Sequence, residues 1–148
     1  METLDGYRPG GYHPVMIGDV LHHRYRIIDK LGHGGHSTTW LALDSSLRQY
    51  TALKVCTTVA PRYETEILQA LSSPSSHPGR QLVPTLLDEF EVSGLNGKHL
   101  CYTKSPARSS LSEDSFSRLF PIDVARALCA GLTRAVAYVH SQGFIHGG

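Results

Sequence analysis

Cysteine is scarce in this chain of 148 residues, and its three cysteines, Cys56, Cys101 and Cys129, lie far apart. No Cys-x-x-Cys pair occurs, so the sequence predicts neither a disulfide framework nor a thiolate zinc site. We therefore expect a reducing compartment, the cytoplasm or the nucleus. The nine histidines do not indicate a metal site, because His33 and His36 have no cysteine or acidic neighbour.

A charge excess and a long apolar run are also lacking. The formal net charge of +1 gives no reason to expect nucleic acid or an anionic membrane as a partner. No apolar stretch approaches the ~18 residues of a membrane span, and the N-terminal sequence lacks the basic and apolar regions of a signal peptide. The expectation is a soluble intracellular chain, whose apolar share of 41% allows a sizeable core.

The sequence does contain a series of strand and helix patterns. The first 12 residues, rich in Gly, Tyr and Pro, predict a flexible arm. Alternation with β-branched residues predicts five strands, and a helical period predicts two helices. The strands are predicted at 25–32, 38–44, 50–56, 82–92 and 98–104, and the helices at 61–73 and 121–143. These elements indicate an α+β fold, in which an antiparallel sheet with one helix precedes a connector and a long helix.

A glycine-rich turn, "LGHGGHS" at 31–37, joins the first two predicted strands. A Rossmann fingerprint requires a third glycine and then a helix, whereas Ser37 and a strand follow here; the Gly-Lys-Ser/Thr of a Walker A loop is also missing. A glycine-rich turn between antiparallel strands can instead fold over the phosphates of a nucleotide, with its backbone N–H groups facing them. A plain hairpin turn is the alternative.

A turn of this kind requires a cation on a neighbouring strand. Lys54 shares a strand face with Ala52, which would place the ammonium near the phosphates and the small side chain beside the base. Either Glu64 or Glu66 could hold Lys54, but they lie ~200° apart around the helix axis. We prefer Glu66 because it borders the predicted apolar face of the helix, and a solvated Lys–Glu pair worth ~0–1 kcal/mol is the alternative. That face consists of Tyr63, Ile67, Ala70 and Leu71.

These motifs, occurring together and in this order, carry a resemblance to a known family. The stretch 12–40, with "YHPV", the glycine turn and "STTW", followed by "ALKV", resembles the N-terminal lobe of eukaryotic protein kinases. It is most similar to the SR-protein kinases and their fungal relatives, which also carry serine at the third glycine position. The likeness continues more weakly through "EILQAL", "KHLC" and "VAYVHSQGFIHG".

The resemblance implies an incomplete protein kinase domain at 13–148, with the small lobe at about 13–105 and the start of the large lobe at about 106–148. It implies transfer of the ATP γ-phosphoryl group, with Mg²⁺, to Ser or Thr of an Arg/Ser-rich protein substrate. Lys54 and Glu66 would be the supporting ion pair. The implied nucleotide-binding residues are Leu31, Gly32, His33, Gly34, Gly35, His36, Ser37, Thr39, Ala52 and Lys54.

The sequence departs from the family's pattern in the turn, in the hinge and at the catalytic loop. Thr39 replaces a valine, and Lys104 and Pro106 lie in the hinge. After His146 the family's catalytic aspartate would occupy position 148, where this sequence has Gly148; the metal-binding asparagine and the Asp-Phe-Gly motif are also missing from these residues. We therefore expect a kinase fragment that is inactive by itself. The alternative is a non-catalytic binding or regulatory module, or an incomplete gene model.

Overall fold

The computed structural model of the chain describes residues 2–107 and 119–145. They fall into two compact units, and each is described by itself. The first unit comprises Met1–Glu66 and Leu86–Pro106, and the second comprises Ile67–Thr85 and Ala107–Gly148.

One antiparallel sheet makes up most of the first unit. Its strands are β1 (Val20–Leu21), β2 (Tyr25–Gly34), β3 (Ser37–Asp44), β4 (Gln49–Cys56), β5 (Leu86–Gly94) and β6 (Gly97–Lys104). They lie in the spatial order β1-β2-β3-β4-β6-β5, and every neighbouring pair is antiparallel. The predicted fold class is confirmed, and the five predicted strands correspond to β2 to β6. The sequence did not indicate β1, because two residues are too few to show an alternation.

The ends of β5 follow from its turn residues. The strand was predicted to begin at Leu82, but it begins at Leu86, since Pro84 has no N–H group to donate to a ladder. At its other end the predicted Asn-Gly turn joins it to β6, and Gly97 adopts a φ of 125°. This left-handed conformation is one that glycine adopts without steric penalty.

The core of the first unit lies on one face of the sheet, where alternate side chains of neighbouring strands meet. Leu53 and Val55 point into it from β4, while Lys54 between them faces the other side. Along β4, all side chains from Thr51 to Cys56 are buried except that of Lys54, which is half-buried. The core consists of Val15, Leu21, Tyr25, Ile27, Trp40, Ala42, Leu53, Val55, Phe90 and Cys101.

The two predicted helices are also present. The helix predicted at 61–73 is α1 (Tyr63–Leu71), and that predicted at 121–143 is α2 (Ile122–Ser141). Gly143, two residues beyond α2, has a φ of 82°, as expected of a helix-terminating glycine. In the second unit Tyr138 of α2 is buried, whereas Leu132 of the same helix is 67% exposed.

Among the described residues, no helix has the length and apolar character required to cross a membrane.

Residues of the predicted flexible arm, 1–12, make hydrogen bonds to the first unit's sheet connections. The N–H of Gly10 donates to the carbonyl oxygen of Asn96 at 2.8 Å, and Nδ2 of Asn96 donates to the carbonyl of Tyr12 at 2.6 Å. The hydroxyl of Thr58 donates to the carbonyl of Gly10 at 3.0 Å. Polar groups of two turns of the sheet thus hold a segment that has no regular partner of its own.

A pair of histidines lies where this segment meets β6. The rings of His13 and His99 are 4.9 Å apart, and Nδ1 of His99 lies 2.9 Å from the carbonyl oxygen of Cys56, so this nitrogen is the protonated one. The ring of His13 also covers Gly94, where an added Cβ would lie 2.4 Å from it. Burial lowers the pKa of His13, and the neighbouring His99 lowers it further, while the charge of Asp19 opposes both.

Replacing His13 by glutamine should reduce the loss of stability in mild acid. The unfolded chain takes up a proton on His13 near its ordinary pKa of 6.5, whereas the folded chain does so at lower pH. The unfolded state therefore binds more protons below that pH, and the free energy of unfolding falls as the pH drops from 6.5. Urea unfolding at about pH 7.5, 6.5 and 5.5 measures this slope. His33→Gln, at an exposed position, is the control; equal slopes for all three proteins would contradict the assignment.

Candidate functional site

The glycine-rich turn lies at one end of the sheet, between β2 and β3. Gly34 pairs with Ser37, and the register continues through His33 with Thr38 and Gly32 with Thr39. Gly34 and Gly35 are exposed, and an added Cβ at either would meet no atom within 4 Å in the described structure. The turn therefore presents mainly backbone to its surroundings.

Lys54 lies beside this turn, in the middle of β4. It pairs in register with Thr39 on β3 and with Tyr102 on β6, and its ammonium lies 5.5 Å from the centre of the Tyr102 ring. The side chain of Lys54 is 20% exposed. Ala52 precedes it on the same strand face, as the alternation predicts, and is buried.

The carboxylate that holds Lys54 is Glu64, and the preference for Glu66 was wrong. Nζ of Lys54 lies 2.8 Å from Oε1 and 2.7 Å from Oε2 of Glu64. The hydroxyl of Tyr102 donates a hydrogen bond to the same carboxylate. Glu66 is exposed, as follows from the ~200° that separates the two positions around a helix axis.

The preference was wrong because the apolar face of α1 was misjudged. Tyr63 and Ala70, which were assigned to that face, are exposed, and Thr65, which was not assigned to it, is buried. Leu71 is buried, as predicted. The helix is therefore rotated relative to the predicted orientation. This rotation places Glu64, in the first turn, toward the ammonium and Glu66 toward solvent.

The electrostatics of the pair favour the charged carboxylate. Burial alone would raise the pKa of Glu64, but the hydrogen bonds from Lys54 and Tyr102 outweigh it, and the pKa lies below its ordinary value. Burial and the same carboxylate raise the pKa of Tyr102, so its hydroxyl remains a donor. Burial raises the pKa of the Cys56 thiol to about 11, which leaves it protonated and a poor nucleophile near neutral pH.

A cavity of about 270 Å³ lies between the glycine turn and the start of α1. Five of the ten predicted binding residues line it, and five do not, so the cavity corresponds to the predicted phosphate end of the site. Those that line it are Gly34, Gly35, His36, Ser37 and Lys54, and those that do not are Leu31, Gly32, His33, Thr39 and Ala52. The other lining residues are Cys56, Ala60, Pro61, Tyr63 and Glu64. Sequence reasoning had considered Glu64 as the alternative to Glu66, and it missed the other four.

Tyr102 is a further side chain that sequence reasoning missed. It is fully buried, and it lies opposite Lys54 in the ladder between β4 and β6. Its position could have been found only from the order of the strands, because β6 rather than β5 is the neighbour of β4. The sequence gives no signal for that crossover.

The structure describes the predicted hinge but not the end of the predicted catalytic loop. The carbonyl oxygen of Lys104 accepts a hydrogen bond from the hydroxyl of Thr51 at 2.9 Å, and Lys104 pairs in register with Ala52. His146 and Gly148 lie outside the described residues. Within the described residues no group of three or more His, Cys, Asp or Glu side chains could hold a metal ion.

Known proteins resemble this chain in both sequence and fold, although no known family's sequence profile matches it. A serine/threonine protein kinase of Aspergillus fumigatus is 32% identical over 97% of this chain and 38% of its own length. Human SRSF protein kinase 3 is 32% identical over 95% of this chain and 26% of its own length. The chain thus spans less than two fifths of the length of either relative.

A solved structure shows the same fold. The kinase domain of PF14_0431 superposes with a TM-score of 0.74 over 88% of this chain and 39% of its own, at 19% sequence identity. This likeness agrees with the observed order of elements, in which α1 lies between β4 and β5 of the antiparallel sheet and α2 follows β6. The chain is similar in sequence to SR-protein-kinase-like serine/threonine kinases over almost its whole length, and it has the fold of a kinase domain, so the predicted resemblance is confirmed.

Proposed function

We propose that these residues bind ATP as the nucleotide-binding part of a protein serine/threonine kinase. The whole protein would transfer the γ-phosphoryl group of ATP to Ser or Thr of an Arg/Ser-rich protein, in the cytoplasm or the nucleus. The single observation that carries this proposal is the Lys54–Glu64 ion pair, which lies in one cavity with the glycine turn.

The ion pair suits the phosphates of a nucleotide. A lysine ammonium has three N–H donors, and the two oxygens of Glu64 accept from Lys54 on one side only. The Glu64 side chain is 44% exposed, so the ion pair remains accessible to a third acceptor. The second contact to Glu64, from Tyr102, keeps the carboxylate in place and so holds Lys54 toward the cavity. Lys54 could then donate to a phosphate oxygen while remaining paired with Glu64.

The glycine turn also fits the phosphate group. The space around Gly34 and Gly35 is open, so phosphate oxygens could approach the backbone closely. When bound, ATP would supply the phosphoryl group that is transferred. The described residues offer no cluster of ligands for Mg²⁺, and we assign no step to a metal ion. We propose that transfer itself requires a catalytic aspartate and metal ligands that are not among these 148 residues.

Replacing Lys54 by alanine should weaken ATP binding by about 1–3 kcal/mol, or roughly 5- to 150-fold, the range for a lost hydrogen bond to a charged group. Isothermal titration calorimetry of the 148-residue chain with ATP measures the affinity. Glu64→Gln should weaken binding in the same direction, because an uncharged amide holds the ammonium less firmly. Glu66→Gln is the matched control and should leave the affinity unchanged, since its side chain is exposed.

The outcomes separate the alternatives. An affinity unchanged by Lys54→Ala would reject the phosphate-binding role. Weaker binding in Glu66→Gln, with Glu64→Gln unaffected, would show that the other carboxylate supports Lys54 when nucleotide is bound. A wild-type chain that binds no ATP would favour the non-catalytic module over the kinase.

One observation favours the non-catalytic alternative. On α2, Leu132 is 67% exposed, and Leu128 and Val136, one turn to either side of it, are half-buried; a continuous apolar face of this kind serves in protein contacts. A binding module would use this helix and would not require ATP.

Incubation of the chain with labelled ATP, Mg²⁺ and an Arg-Ser-rich peptide tests its activity directly. We expect no phosphoryl transfer above the buffer blank from these residues, and turnover would disprove their proposed inactivity.

A further inference from the structure

The N-terminal segment 2–15, here called the strap, crosses the end of the sheet that carries the glycine turn. Three connections lie at this end: the turn between β2 and β3, the loop after β4, and the turn between β5 and β6. The strap contacts all three. Its middle is held by Asn96 and Thr58, as described above, and Val15 at its end is buried in the core.

The contact to the glycine turn is made by one side chain. The hydroxyl of Tyr12 donates a hydrogen bond to the carbonyl oxygen of Gly34 at 2.7 Å. The backbone carbonyl of Tyr12 accepts a hydrogen bond from Nδ2 of Asn96 at 2.6 Å, so the backbone of this tyrosine is also held in place. Its ring lies 5.5 Å from that of Tyr7 and covers Gly6, where an added Cβ would lie 2.6 Å from it.

The glycine turn separates two cavities. Gly35 and His36 line the cavity that contains Lys54, and they also line a second cavity of about 390 Å³, which the strap bounds on its other side. The turn is thin and has open space around its glycines. The N–H of Thr57 holds it from the loop after β4, by donating to the carbonyl oxygen of His36 at 2.9 Å, and a second hold comes from the strap side. Tyr12 supplies a hydrogen bond from that side.

We propose that Tyr12 is a positioning residue, which holds the glycine turn in place over the phosphates of the bound nucleotide. This inference rests on the proposed ATP-binding function. Two glycines in sequence lose more backbone freedom on ordering than any other residue pair, so a hydrogen bond that orders them in advance reduces the entropy lost when phosphate binds. The strap thereby sets the affinity of a site to which it contributes no direct contact.

Replacing Tyr12 by phenylalanine should increase the mobility of the turn and weaken binding of phosphates selectively. Amide hydrogen exchange of a peptide covering 31–38 should become faster, because the turn opens more often. ATP should bind about 2- to 10-fold more weakly, the effect of one lost neutral hydrogen bond, whereas adenosine should bind as before. Tyr7→Phe is the matched control: it removes a hydroxyl from the same strap, one that donates to Glu2, and should change neither quantity.

A second variant disturbs the strap at a different residue. An added Cβ at Gly11 would lie 2.1 Å from the carbonyl oxygen of Gly6, so Gly11→Ala should displace the strap and speed exchange of 31–38 in the same way. This variant decides the question if Tyr12→Phe does not fold.

The two readouts distinguish the two proposals. Unchanged exchange of 31–38 in both variants would overturn the inference whether or not ATP binds. Equal weakening of ATP and adenosine would also overturn it, because a general loss of structure would explain both. If the wild-type chain binds no ATP, the proposed function fails. Faster hydrogen exchange of 31–38 in Tyr12→Phe, without a change in Tyr7→Phe, would then still show that Tyr12 holds the turn.

Discussion

Replacing Leu53 by alanine should lower the free energy of unfolding of the first unit by about 2–5 kcal/mol. Leu53 is 0% exposed and lies in the middle of β4, between Trp40 of β3 and Thr103 of β6. The substitution removes apolar contacts and leaves a cavity that strands on both sides prevent from collapsing. Trp40 is the sole tryptophan of the chain and is buried in the same core, so its fluorescence during denaturant unfolding reports on this unit.

The matched control is Leu95→Ala. Leu95 lies in the turn between β5 and β6 and is 93% exposed, so the same substitution should change stability by no more than about 0.5 kcal/mol. Similar losses for the two variants would contradict the position of the core. A loss for Leu53→Ala of less than about 1 kcal/mol would show that the sheet can collapse around the cavity, against the packing described.

The sheet of the first unit could be predicted from the sequence because its signals are local. The alternation in 50–56 identifies β4 and gives Leu53 and Lys54 opposite faces, and both assignments agree with the structure. The Asn-Gly pair at 96–97 likewise fixes a hairpin through the backbone preference of glycine. Signals of this kind require only neighbours in the chain, so a single sequence contains them.

The partners of Lys54 could not be predicted in the same way. Choosing between Glu64 and Glu66 required the rotation of α1, and a nine-residue helix with exposed Tyr63 has too weak an apolar pattern to fix it. Tyr102 depends on the strand order, and the contacts of the strap depend on three turns that are distant in sequence. Long-range arrangement decided each of these, and local propensity contains no information about it.

In the second unit, Tyr138 is the buried residue of α2 in the described structure. Its hydroxyl donates to the carbonyl oxygen of Leu71 at 2.9 Å, and its ring lies 5.4 Å from that of His77. Close by, an added Cβ at Gly79 would lie 2.0 Å from the carbonyl oxygen of Arg134. The backbone of α2 thus approaches the segment 77–79 closely, and the Tyr138 side chain packs between the helix and this segment.

Replacing Tyr138 by alanine should therefore lower the stability of the second unit by about 3–5 kcal/mol, the range for loss of a large buried aromatic side chain. Tyr138→Phe keeps the ring and removes the hydroxyl, and should lower stability by about 1–3 kcal/mol, because the carbonyl of Leu71 loses its donor. Circular dichroism at 222 nm during thermal or urea unfolding follows α2, the longer of the two helices. Leu132→Ala, at a position of the same helix that is 67% exposed, should change stability by about 0.5 kcal/mol or less. If Tyr138→Ala and Leu132→Ala shift the helical transition equally, Tyr138 does not anchor α2, and the contact with 77–79 does not hold the second unit together.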